Sequence, residues 1–325
     1  MNLFSFSKIT QSVAATLALG LTGTALASDV RTERVTFISG GETLVGTLYI
    51  PTGVNARNKA PAAVVTGAWM TIKEQMSGRY ARELAERGVV ALAFDFRSWG
   101  ESGGLPRAME NPRAKTEDIR AAVSFLQTRR DVDVQRIGGL GICASAGYMA
   151  QAAATTPAIK SVALVAPWLH DARIVEQVYG GAASVQNLIN ASRTAEQAFR
   201  STGKATLVLA ASSTDKTAVM FQVPYYTEAD RGLIPQWENR FNVASWEAWL
   251  TFDAQQFAPR MAQPTLVVHS EAAAIPQGAR QFLGNLKGKK TELWLDGVNQ
   301  LDFYDREQPV DRSADAVRAH FAATL

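Results

Sequence analysis

The only cysteine in this 325-residue chain lies where a side chain could act as a nucleophile. It falls in the stretch Arg136-Ile-Gly-Gly-Leu-Gly-Ile-Cys143-Ala-Ser-Ala-Gly-Tyr148, where an apolar, glycine-bearing run stops at Cys143 and small residues follow. Strand, tight turn and helix in that order make a nucleophile elbow, which holds a reactive group on a strained turn above a parallel sheet. The turn folds too tightly for bulky neighbours, and Gly141, Ala144, Ser145 and Ala146 supply small ones. In one register the motif is Gly141-Ile142-Cys143-Ala144-Ser145, with a thiol where a serine hydroxyl is usual. A second register, Cys143-Ala144-Ser145-Ala146-Gly147, makes Ser145 the nucleophile and lengthens the strand by two residues. The first is preferred, because the second puts Cys143 where glycine is favoured. A plainer reading also stands: a free cysteine can be a small buried hydrophobe that ends a core strand.

A thiol needs less help than a hydroxyl. Serine must give up a proton to a base during attack. A cysteine at a helix N-terminus can instead have its pKa lowered below about 8.5, and Cys143 precedes the helix expected from Ala144. The histidines available as bases are His170, His269 and His320. His320 falls on the last helix and His269 ends a core strand. His170 ends a strand on the elbow's edge of the sheet, which makes it the candidate for a relocated base, with Asp171 as a relocated acid.

These residues need a scaffold, and the hydrophobic pattern supplies one. Short continuous apolar runs at 62–66, 89–94, 137–142, 161–165 and 265–269 read as buried parallel strands. Helices are expected at 73–87, at 115–129 with Thr116 or Asn111 as cap, at 144–154 and at 277–286. Strand–helix alternation with right-handed crossovers builds a mostly parallel, doubly wound sheet. Ahead of it, 35–38 and 44–50 flank Gly40-Gly41 as a hairpin, and 291–295 and 310–323 close the chain as strand and helix. Between 172 and 262 the alternation breaks. An amphipathic helix near 184–200 precedes an aromatic-rich segment with Tyr225, Tyr226, Trp237, Trp246 and Trp249. That segment is expected to cap the sheet's carboxyl edge, so the core divides into 28–171 and 263–325 around a cap at 172–262.

The Gly67 turn, Asp95-x-Arg97-x-x-Gly100-x-Ser102-Gly103, the elbow and the final strand–loop–helix occur in the order of a known fold. The chain resembles the α/β-hydrolase superfamily and, within it, the dienelactone-hydrolase-related group, whose elbow can carry cysteine. The resemblance covers residues 33–171 and 264–325 and leaves the cap outside it. It implies an α/β-hydrolase-type sheet with an inserted helical cap, and acyl chemistry at the elbow. It also implies an oxyanion hole made by the backbone N–H groups of Ala68 and Ala144. Such enzymes carry an acid after the strand here ending at His269 and a histidine after the strand ending at Leu295. Neither matches. The first loop is Ser270-Glu271-Ala272-Ala273, where Glu271 substitutes only if the loop is reshaped, and Gln300 stands where relatives have histidine. Gln300 can hydrogen-bond a thiolate or a substrate but cannot carry a proton.

Without that histidine, acylation of a cysteine remains feasible while hydrolytic deacylation lacks its base. The expectation is therefore acyl transfer, rearrangement or slow turnover of a small ester, lactone or thioester. Trp69, Trp99 and Trp168 each follow a strand at the ligand-binding edge. With the cap's rings they point to a hydrophobic or aromatic small-molecule substrate. Two rivals stand beside this reading: a catalytically impaired protein that binds a small apolar ligand, and a redox-responsive thiol.

The totals exclude other classes. A hydrophobic share of 47% with 19% charged residues describes a globular chain with a substantial core. The net charge of +3 is interspersed and no nucleic-acid-binding motif occurs. No metal-ligand cluster or phosphate-binding glycine pattern is present, so no metal and no cofactor are expected. At the start, Lys8, an apolar run at 13–21 and Ala25-Leu26-Ala27 read as a Sec-type signal peptide cleaved after Ala27. The run is too short for a membrane span, so the mature chain is expected in the periplasm without one.

Overall fold

Strands β1 (Arg31–Ser39) and β2 (Glu42–Ile50) pair antiparallel around the Gly40-Gly41 turn, from Arg31↔Ile50 to Ser39↔Glu42. Both turn glycines have positive φ, 55° and 85°, which a two-residue hairpin turn demands. The computed structural model describes residues 30–325, and the signal peptide expected at 1–27 lies outside the described residues.

Alternation then begins: β3 (Ala60–Thr66), α1 (Met76–Glu86), β4 (Val90–Phe94), α2 (Pro112–Thr128), β5 (Val132–Ile142), α3 (Ser145–Thr155) and β6 (Ser161–Val165). Asn111 is the cap of α2, its side chain accepting from the Ala114 N–H at 3.1 Å, and Pro112 occupies the first helical position. The cap segment contributes α4 (Ala172–Val178), α5 (Ala182–Thr202), β7 (Leu207–Leu209), β8 (Ala211–Ser212), β9 (Met220–Phe221), α6 (Pro224–Thr227), β10 (Arg240–Asn242) and α7 (Trp246–Leu250). The core resumes with β11 (Thr265–His269), α8 (Pro276–Asn285), β12 (Lys290–Trp294), α9 (Asp302–Asp305) and α10 (Glu307–Thr324).

Eight strands form the central sheet in the order β1-β2-β4-β3-β5-β6-β11-β12. From β4 to β12 all neighbours are parallel, while β1 and β2 run antiparallel at one edge. Strands β4, β6 and β11 are buried along their whole length, as strands covered by helices on both faces must be. Parallel strands have one consequence for function. The loops leaving β3, β5, β6, β11 and β12 all emerge at the same edge, where they can meet.

The cap closes over that edge through specific contacts. Trp237 Nε1 donates to Met70 O at 2.7 Å, Gln75 Nε2 to Gly232 O at 2.7 Å and Gln255 Nε2 to Leu169 O at 2.7 Å. Arg231 pairs with Asp305 at 2.6 Å. The Trp69 ring packs against Phe241, Trp246 and Trp249 at centroid distances of 5.2, 5.6 and 5.0 Å. Among the described residues no helix is long and apolar enough to cross a membrane.

Candidate active site

Cys143 directly follows β5, between β3 and β6, and so stands at the middle of the sheet's carboxyl edge. Its φ of 54° lies in the left-handed region, which costs an L-residue about 1–2 kcal/mol. The neighbouring strand's exit holds the strained turn. The Cys143 N–H donates to Val165 O at 3.1 Å, and its carbonyl accepts from the N–H groups of Trp168 at 2.9 Å and Ala146 at 3.1 Å. A Cβ at Gly141 would come within 2.8 Å of Ala146 Cα, so only glycine lets β5 and α3 meet this closely. The register centred on Ser145 is not adopted. Its hydroxyl is fully buried, donating to Ile142 O at 3.1 Å and accepting from the Ile142 N–H at 3.2 Å, and it closes the turn.

Four groups approach the Cys143 sulfur: the Tyr304 hydroxyl, the backbone N–H groups of Ala144 and Trp69, and the Gln300 side chain. The expected donor Ala68 is thus displaced by one residue, its own N–H facing Met76 Sδ at 3.4 Å. Thr71 is the physical reason. Its hydroxyl donates to Ala68 O at 2.7 Å, which fixes the Ala68–Trp69 peptide with its N–H on the opposite side, toward Cys143. A Cβ on Gly67 would lie 2.7 Å from that hydroxyl, so the glycine is what admits it.

The expected low thiol pKa is also corrected. Burial pushes the Cys143 thiol above its ordinary value, and the hydrogen bonds around it only partly oppose this. At 7% exposure, among aromatic rings, desolvation outweighs the helix N-terminus.

Gln300 occupies the position expected for a histidine, but it is held as an anchor. Its Oε1 accepts from the Ala274 N–H at 3.0 Å, and its Nε2 donates to Ala166 O at 2.8 Å and to the Tyr304 hydroxyl at 2.9 Å. One amide therefore ties together the loops leaving β6, β11 and β12. Because Tyr304 accepts from Gln300, its own O–H is directed to the Cys143 sulfur, giving the chain amide–phenol–sulfur. Tyr304 is absent from the sequence-based set. The signal for it was its spacing four residues after Gln300, one helical turn on.

None of the alternative bases reaches the sulfur. His170 accepts from Trp168 Nε1 at 2.8 Å through Nδ1, so its Nε2–H faces Trp249 O at 3.2 Å. Burial holds its pKa down at about 4, and it is a neutral packing residue. Asp171 caps α4 by accepting from the Ile174 N–H at 2.9 Å and also accepts from Gln281 Nε2 at 3.1 Å. Glu271 is exposed and paired with Arg280. His269 is buried beside Trp294, and His320 faces Pro264 O at 3.3 Å. Among the described residues no group of His, Cys, Asp or Glu is arranged to hold a metal ion.

The sulfur opens into a cavity of about 40 Å³, walled chiefly by Trp69, Trp168, Tyr179, Met220, Tyr226 and Trp249. That space holds only a few water-sized groups. Of the three tryptophans expected at the edge, Trp99 does not line it. Its Nε1 donates to Met109 O at 2.7 Å, and the Lys115 ammonium lies 5.4 Å from its ring.

A mostly parallel eight-stranded sheet, an elbow at its centre and paired N–H groups beside the elbow residue define an α/β hydrolase. The chain belongs to the X-Pro dipeptidyl-peptidase (S15) family, whose sequence profile matches residues 40–298. It is 30% identical to the protein PA2218 of Pseudomonas aeruginosa over 316 residues, covering 89% of this chain and 81% of that one. The crystal structure of PA2218 superimposes with a TM-score of 0.79 at 26% identity, over 95% of this chain and 100% of that one. A thiohydrolase, apmlB of Arthrinium phaeospermum, is 37% identical over 127 residues, 39% of this chain and 40% of its own. The α/β hydrolase GrgF from Penicillium sp. sh18 shares the fold, with a TM-score of 0.74 at 22% identity over 90% of this chain and 99% of that one. The chain is accordingly a hydrolase or acyltransferase.

Proposed function

We propose that the protein is an exported enzyme whose Cys143 takes an acyl group from a small hydrophobic thioester, ester or lactone. It then passes that group on by transfer or slow hydrolysis. The observation that carries this is a thiol on a left-handed elbow turn with the N–H groups of Trp69 and Ala144 at its sulfur. The relative named a thiohydrolase favours thioesters among the three, and the aromatic cavity wall favours an apolar acyl group.

In the first half-reaction a bond forms between Cys143 Sγ and the acyl carbon. The carbonyl oxygen takes up negative charge between the two backbone donors. The bond to the leaving sulfur then breaks, and the thiol proton ends on that sulfur. In the second half-reaction an alcohol, amine or water displaces Cys143 and returns a proton to it. No described histidine reaches the sulfur, so water is the hardest acceptor to activate, and the acyl-enzyme should accumulate.

Intact-mass analysis of the protein after brief exposure to short and aromatic activated thioesters tests this. A single acyl adduct is expected, absent from Cys143→Ala and persisting for minutes in buffer. Neither adduct nor turnover across the panel would overturn the reading. The signal peptide read at 1–27 extends the proposal to the periplasm. The same spectrum of protein recovered from the cell envelope should then begin at Ser28.

A further inference from the structure

The loop that supplies the Trp69 N–H makes an unusual turn. Its next residue, Met70, is a non-glycine with φ of 61°, a conformation that persists only when its surroundings hold it. Two contacts do so, one on each side of the residue. The Met70 N–H donates to Glu110 Oε1 at 2.8 Å, and the Met70 carbonyl accepts from Trp237 Nε1 at 2.7 Å. Glu110 is itself fixed from three elements. Lys115 Nζ of α2 lies at 2.5 Å, Tyr148 Oη of α3 at 3.3 Å, and the Glu110 N–H donates to Ser245 Oγ of the cap at 2.9 Å. Glu110 and Lys115 are 0% and 1% exposed, and the ammonium lies 4.7 Å from the Phe96 ring.

Burying such a pair is not a route to stability, because the desolvation of two ions rivals their attraction and an apolar pair of similar volume often does as well. What the pair supplies here is an acceptor in a set place. Tyr148 joins it to the helix that starts at the elbow, and Met70 joins it to the loop that faces the elbow.

We propose that Glu110, held by Lys115, is a positioning residue for the oxyanion hole. Through Met70 it sets where the Trp69 N–H stands relative to Cys143. The proposal rests on the acyl-transfer reading above. It adds that removing the acceptor slows acyl chemistry without changing access to the thiol.

Two neutral double variants separate this from a structural role. Glu110→Gln/Lys115→Met keeps an amide oxygen for the Met70 N–H, whereas Glu110→Leu/Lys115→Met removes it, and both dispense with the buried charges. Each is treated with an activated thioester and, separately, with methyl methanethiosulfonate, which reacts with the thiol at sulfur and forms no oxyanion. Acylation is expected to fall about 10-fold or more in the leucine form, the scale of a misplaced catalytic group. Thiomethylation should stay within about twofold, and the glutamine form should acylate close to the wild-type rate. Trp237→Phe, which frees the Met70 carbonyl and leaves the ion pair intact, should show the same split, and it serves if the leucine form does not fold. Equal acylation in the leucine and glutamine forms, or parallel loss of both reactions, would overturn the proposal. A wild-type protein that is thiomethylated but never acylated would overturn the acyl-transfer reading itself, an outcome visible before any variant is made.

Discussion

A buried thiol with a raised pKa reacts through its small ionised fraction, and that fraction grows tenfold per pH unit until the pKa is reached. Because burial pushes Cys143 upward, the logarithm of its acylation rate should rise with unit slope from pH 6 to about 9. A plateau below about pH 8 would mean that a group forming thiolate at neutral pH exists, contrary to this geometry. Tyr304→Phe removes the hydroxyl that lowers the thiol's pKa. It should cut acylation at pH 7 by roughly tenfold, the worth of one hydrogen bond to a charged atom. The elbow itself was legible, since Gly141, Cys143 and Ser145 carry their steric reasons in their spacing. The sign of the thiol shift was not, because the rings that desolvate the sulfur arrive from the cap. Nor was the oxyanion donor, since the choice of Trp69 over Ala68 turns on one hydroxyl, that of Thr71, rotating one peptide.

At the scale of elements, sequence and structure agree best where burial is complete. Strands β6 and β11 begin and end where their hydrophobic runs do, because a strand covered on both faces has no solvent-facing positions to blur its limits. Strand β5 begins at Val132, five residues before its apolar run at Ile137. That extension carries Asp133 and Arg136, is only partly covered, and pairs with β3 through an irregular register. The loop after β12 was legible as the place where a histidine is missing, but not as a replacement network. The geometry explains why restoring the histidine alone should fail. At Gln300 the far end of the side chain meets the Ala274 N–H donor. An imidazole there would accept that bond through its far nitrogen, leaving the nearer nitrogen protonated and without a lone pair for the attacking water. Gln300→His alone should therefore change deacylation by less than about threefold. Gln300→His combined with Ala273→Asp, which supplies an acceptor beside the ring, should speed deacylation by roughly 10². Lifetimes of the acyl adduct measured by intact mass decide it. A large gain from the single histidine would mean that the loop after β11 reorients.

For the whole molecule, buried polar contacts join the cap to the core, and one of these should make stability depend on acidity. His170 lies where the exit of β6 meets the cap, between Trp168 of the cavity wall and the carbonyl of Trp249. Burial lowers its pKa from 6.5 to about 4, and His269 is lowered to about 4 for the same reason. Between pH 6.5 and 4 the unfolded chain takes up protons that these two imidazoles refuse in the fold, so folding stability falls as the pH falls through that window. The loss is complete below about pH 4 and amounts to about 3 kcal/mol per histidine at most, a large part of the roughly 5–15 kcal/mol of a typical domain. Tm should therefore drop steeply from pH 6.5 to 4. His170→Gln offers an oxygen to Trp168 Nε1 and an N–H to the Trp249 carbonyl without a proton to gain, so its Tm should vary less across the window while staying close to wild type near pH 7. Equal slopes for the two proteins would assign the acid sensitivity to His269 or to the carboxylates. A shallower slope accompanied by unchanged acylation at neutral pH would establish His170 as the imidazole that joins cap to core without taking part in the chemistry.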